Sequence, residues 1–109
     1  MMSVPLPVKI GRIVAQNVIE DFQNKMLPWS GTEREWKDAP NHAARRAVMA
    51  FRARSNRARP KADEFLCAET AYAETVRLLQ HTPGLGLSKA KFYPFDASRC
   101  TRARTLPIT

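Results

Sequence analysis

The chain has 109 residues, with 18 Lys and Arg against 10 Asp and Glu and a net charge of +8. Its pI is near 10.2, and this describes one small, strongly basic domain. A hydrophobic fraction of 44% suits a folded core. No apolar run approaches the roughly 18–20 residues of a membrane-spanning helix, no secretory signal peptide is visible, and two cysteines, Cys67 and Cys100, make no disulfide framework.

Residues 1–7, MMSVPLP, are predicted to be an extended N-terminal arm, because Pro5 and Pro7 disfavour helix in the residues before them. A first helix is predicted from Val8 to Met26. Ile10, Val14, Val18, Phe22 and Met26 recur every four residues, and Ile13 joins the stripe. Residues up to Ile19 include Lys9 and Arg12 and no acid, a bias shared by organellar import segments and by ordinary helices. Pro28 ends this helix, and LPWSG reads as a turn.

Thr32-Glu33-Arg34-Glu35 has the spacing of a capping box, in which Thr32 and Glu35 satisfy each other's backbone N–H groups. It predicts a short helix through Trp36, with a fresh start at Pro40, a residue tolerated in a first turn. The second long helix then runs from Pro40 to Ala58, with a narrow apolar stripe of Ala44, Ala47, Val48 and Phe51. Pro60 opens a third helix to Gln80, with Phe65, Ala68, Tyr72, Val76 and Leu79 as its core stripe. Its acids Asp63, Glu64, Glu69 and Glu74 make it the acidic element, and those near its start suit the helix dipole. Thr82-Pro83-Gly84 stops it. Residues 85–109 are predicted to be a largely extended basic tail that holds the aromatic group Phe92-Tyr93-Pro94-Phe95. The expected architecture is therefore mostly α: a helical domain over 8–84, as a hairpin or three-helix arrangement, between extended N- and C-terminal arms.

The central run is the most informative stretch. Arg45, Arg46, Arg52, Arg54, Arg57, Arg59 and Lys61 fall within seventeen residues, and no acid occurs from Ala39 to Ala62. A solvated helix face ordinarily mixes both signs and gains i, i+4 pairs. Like charges so dense are tolerated when a polyanion or a set of carboxylates neutralises them. The tail adds Lys89, Lys91, Arg99, Arg102 and Arg104. Twelve of the eighteen basic residues are Arg, the side chain that grips phosphate and carboxylate with a two-pronged fork.

Three anionic partners fit such a run. RNA phosphate matches the arginine preference and calls for backbone contact rather than base stacking, since Phe51 is expected to face the core. Acidic protein neighbours match as well, as do internal carboxylates, with Glu69 and Glu74 expected to reach Arg46 or Arg57 if the second and third helices form a hairpin. A membrane surface fits less well, because the apolar stripe is mostly Ala. A base-reading DNA regulator has only Asn41 and Asn56 as amides near the run.

Catalytic chemistry has little to work with. His42 and His81 have no partner at metal-ligand spacing, Cys67 lies in an apolar helical stretch, and Gly84-Leu85-Gly86 lacks the third glycine of a phosphate loop. No enzyme activity, cofactor or metal is expected. The reading is a structural subunit of a large assembly, an RNA-contacting protein of an organellar ribosome in a mitochondrial setting. The alternative is an accessory subunit of a mitochondrial respiratory complex or ATP synthase, its arginines paired to acidic neighbours.

Overall fold

The computed structural model describes residues 3–25, 32–54 and 61–98. Three helices make the fold: α1 (Leu6–Gln23), α2 (Glu33–Arg54) and α3 (Lys61–His81). No strand occurs among the described residues. Each helix touches both others, and α1 and α3 share the most extensive contact. The mostly helical, three-helix arrangement expected from periodicity is the one observed.

α1 begins two residues earlier than the spacing predicts. Pro5 is its N-cap, and the Pro5 carbonyl accepts from the N–H groups of Val8 and Lys9 at 3.0 and 3.1 Å. Pro7 lies in the first turn, where a missing N–H costs nothing. The reach of Pro7's bias against helix is thus outweighed by the burial of Pro7 itself. Ile10, Val14 and Val18 are buried as expected, together with Ala15 and Ile19. Ile13 does not join them; it is 53% exposed, on the edge of the stripe. Met26 and the LPWSG turn lie outside the described residues.

The capping box forms as the sequence predicts. Glu35 N–H donates to Thr32 Oγ1, and Thr32 N–H donates to Glu35 Oε1, each at 3.4 Å. The helix it starts does not stop at Pro40. α2 is continuous through that residue, which removes the N–H that the Trp36 carbonyl would otherwise accept and costs about 3 kcal/mol in a helix interior. Burial accounts for the continuity: Ala39, Pro40, Ala43, Ala44 and Ala47 are all inside. Breaking the rod at Pro40 would lift this face off its neighbours.

The small residues set how closely the helices approach. A Cβ added to Gly11 of α1 would stand 2.8 Å from the Cys67 backbone carbonyl and 3.0 Å from Thr70 Cβ on α3. Facing Ala71 is fully buried at the same crossing. Larger apolar groups fill the rest. Val14, Val18, Phe51, Cys67 and Leu79 belong to one cluster. Ala44, Val48, Ala68 and Tyr72 form a second between α2 and α3.

α2 and α3 run antiparallel. The Cys67 thiol donates to the Ala47 carbonyl at 3.3 Å, while Arg52, later on α2, meets Glu64, earlier on α3. Pro60, assigned by sequence to the start of α3, lies outside the described residues.

The segment after α3 has no helix from Thr82 to Asp96, as expected of an extended tail, and it lies along the body of the fold. Gly84 and Gly86 take left-handed backbone angles of +90° and +72°, which glycine adopts without a Cβ penalty, and the chain turns back. Leu85, Leu87 and Phe92 settle on the main core cluster. Phe92 meets Trp36 edge-on at 5.4 Å. Phe95 meets Phe65 at 5.6 Å and Tyr72 at 5.3 Å. Gln80 Nε2 donates to the Ala90 carbonyl at 3.0 Å. The aromatic group predicted for the tail therefore anchors it to its own helices up to Phe95. Phe65, predicted as core, is 45% exposed and takes its cover from Phe95 instead.

Candidate functional site

The basic run of α2 divides into paired and unpaired cations. Arg46 reaches across to α1, with Nη1 3.1 Å from Asp21 Oδ2. Arg52 grips Glu64 with both prongs: Nε donates to Oε2 at 2.9 Å and Nη2 to Oε1 at 2.6 Å. The Glu64 hydrogen bond raises the Arg52 pKa further above its ordinary value, against the opposing effect of burial. Arg52 is thus a tie between α2 and α3. Both side chains are mostly covered, at 23% and 14% exposed, so solvent screens this pair less than a surface one.

The partners differ from those the sequence suggested. Glu74 binds Arg77 on its own helix, at 3.0 and 2.6 Å, and that hydrogen bond holds the Glu74 carboxyl below its usual range. Glu69 is exposed and makes no ion pair among the described residues. The sequence placed the carboxylates on α3 correctly but could not assign register. Arg52 opposite Glu64 requires knowing where the α2–α3 turn closes, and Asp21 requires knowing that α1 lies along the other flank of α2.

Arg45, Arg54, Lys61, Lys89 and Lys91 remain, none of them in an ion pair among the described residues. Arg45 is half-buried, and the other four are exposed. Arg54 ends α2 and Lys61 begins α3, so the antiparallel pairing puts both at one end of the hairpin. The sequence between them carries Arg57 and Arg59. Those two, with Arg99, Arg102 and Arg104, lie outside the described residues. Lys89 and Lys91 sit apart on the returning segment.

Other candidates resolve into structural parts. The Cys67 thiol is fully buried, and desolvation pushes its pKa up to about 12; a thiol held neutral is no nucleophile. Burial lowers the His42 pKa, with Arg46 and Arg45 adding to the effect, so His42 contributes no positive charge at neutral pH. Asn41 is 1% exposed and cannot read a base edge. Phe51, at 2%, is core rather than a stacking platform. No group of His, Cys, Asp and Glu suited to a metal ion occurs among the described residues, and no helix among them is long and apolar enough to cross a membrane. Cys100 and Asn56 lie outside the described residues.

One feature was not singled out from sequence. A depression of about 200 Å³ opens between α1 and α2, floored by Ile10, Val14 and Ala50 and walled by Ile13, with Arg46 and Arg54 on its rim. Ile13 breaking from the stripe was its only sequence signal, legible once the stripe is narrowed to Ile10, Val14 and Val18. No protein-family model, curated protein or solved structure matches this chain.

The Arg52–Glu64 tie gives a direct test of the division between paired and free cations. A double-mutant cycle with Arg52→Gln and Glu64→Gln should return a coupling energy of about 1–2 kcal/mol in urea unfolding. The equivalent cycle at Glu74 and Arg77, an i, i+3 pair whose guanidinium is open to solvent, should return a clearly smaller coupling. Equal coupling in the two cycles would remove the assignment of Arg52 to the fold.

Proposed function

We propose that the chain is a non-catalytic structural subunit of a large ribonucleoprotein, an organellar ribosome being the favoured assembly, and that it holds RNA by its phosphate backbone. The observation that carries this reading is the set of cations left over after internal pairing. Arg54 and Lys61 bracket one end of the α2–α3 hairpin without carboxylate partners among the described residues, and Arg57 and Arg59 lie between them in sequence. Four positive groups in eight residues, with no acid among them, supply a density of charge in the sequence that suits successive phosphates. Contacts of this kind fix position and carry no sequence preference. The buried Asn41 and Phe51 support backbone contact over base reading.

If the mitochondrion is the setting, α1 stays with the mature protein, because Ile10, Val14 and Val18 belong to the core. The basic, acid-free stretch to Ile19 is accounted for as a core helix.

The test separates the two sets of arginines. Each phosphate neutralised on single-stranded RNA steepens the fall of log affinity with log salt by about 0.7. Arg54→Gln, Arg57→Gln, Arg59→Gln and Lys61→Gln together should flatten that slope by about 2–3. Arg46→Gln with Arg52→Gln should lower the melting temperature and leave the slope in place. A quadruple variant with the parental slope overturns the proposal.

A second reading has its own observation. The depression between α1 and α2 combines apolar floor and cationic rim, as a site for an acidic neighbouring subunit would. An accessory subunit of a mitochondrial respiratory complex or ATP synthase would use that face, and it would co-purify with its complex after nuclease treatment.

A further inference from the structure

We propose that the α1–α2 depression is a docking site for an acidic amphipathic segment of a partner protein, which inserts one large apolar side chain and sets a neighbouring carboxylate on Arg54. This deepens the second reading above and rests on it; it shares Arg54 with the RNA reading but none of the other cations assigned there.

Size argues first. Small-molecule pockets occupy about 300–1,000 Å³, and this one, at about 200 Å³, is below that range. It suits a single anchoring side chain of the kind that dominates protein interfaces. Its chemistry argues next. Ile10 and Val14 are buried at its floor, whereas Ile13 stays 53% exposed on its wall. About two turns back on the same helix, Leu6 is 44% exposed on the face that carries Ile13. Two exposed apolar side chains therefore stand on this side of α1, with Lys9 between them, and none of the described residues buries either.

Charge decides the class of partner. Arg54 is exposed at the rim with no ion pair among the described residues. Arg46, at the other end, is already tied to Asp21 and stiffens the rim. No carboxylate lines the depression. A basic amphipathic segment would bring like charge to Arg54, and a purely apolar one would leave Arg54 without a counter-charge among the described residues. An acidic helix laid in the groove satisfies floor and rim together, the mode in which an amphipathic helix binds through spaced apolar anchors.

The test uses the full chain, nitrogen-15 labelled, and three synthetic helical peptides: one alternating Glu and Leu faces, one Lys and Leu, one Glu and Ala. The Glu/Leu peptide should shift the amides of Ile13 and Ala50 and bind at least about tenfold more tightly than either other, a difference of about 1.4 kcal/mol. Ile13→Asp, a half-exposed position whose change leaves the helix content intact, should abolish the shifts and leave the RNA salt slope unaltered. Arg54→Glu should reverse the charge preference in favour of Lys/Leu. Equal binding of Lys/Leu overturns the charge argument, and equal binding of Glu/Ala overturns the pocket. Absent or scattered shifts overturn the site. A concentration-dependent dimer that Ile13→Asp dissolves would assign the groove to a second copy of this chain and also overturn the proposal. Because Ile13 lies off the hairpin end, failure here and failure of RNA binding remain separate results.

Discussion

Phe51→Ala is expected to lower the free energy of unfolding by about 3–5 kcal/mol. The ring is 2% exposed and is the largest of the fully enclosed side chains. Ala43 and Ala47, which precede it on α2, share its cluster. Short side chains cannot swing in to fill the space, so the cavity term stays near its maximum. Small domains have only about 5–15 kcal/mol in total, and a domain near this size melts about 4–8 °C lower for each kcal/mol lost. Thermal unfolding followed by circular dichroism checks the loss. A cost under about 1 kcal/mol, or a change in RNA salt slope without loss of stability, would place Phe51 on the surface of the working protein and contradict the core described above.

Gly11→Val is expected to cost about 2–4 kcal/mol, and Gly11→Ala about 1–2 kcal/mol. Two effects oppose each other. Replacing glycine inside a helix gains up to about 1 kcal/mol from propensity. The new Cβ, however, would meet the Cys67 carbonyl at 2.8 Å. That oxygen is backbone of α3 and cannot rotate away, so α1 must move outward and loosen the most extensive helix contact in the molecule. The clash outweighs the propensity. Gln16→Ala, on the exposed side of the same helix, isolates the propensity effect and should be neutral or slightly stabilising. Urea unfolding of the three variants decides it, and a more stable Gly11→Ala would mean that α1 and α3 do not approach as described.

Much of this fold was legible in the residues. Apolar spacing located three helices because each has a core stripe that repeats at helical intervals, and the Thr32–Glu35 box marked the start of α2 because its chemistry is local. What failed depended on tertiary contact. Pro40 reads as a boundary from propensity alone, yet the burial of its neighbours holds α2 together through it. Ile13 and Phe65 have the right spacing for core but lie at the margins of their stripes, where the position of the next helix decides exposure. The segment after α3 was read as a largely extended tail, and it is non-helical up to Asp96; its docking was not legible. Only the docking of Phe92 and Phe95 reveals that it belongs to the body.

The candidate site shows the same division. Charge density along α2 was visible at once, but which guanidinium is committed to the fold was not. Arg46 and Arg52 look identical to Arg54 in sequence. Their difference is a matter of register, set by Asp21 and Glu64 from two other helices.

The closure of the fold by Phe92 and Phe95 bears on how the chain matures in the cell. Translation delivers α1 and α2 before α3 and the aromatic clasp over it, although both earlier helices pack on α3. Until residue 95 has emerged, the nascent polypeptide holds an apolar stripe uncovered beside a dense row of cations.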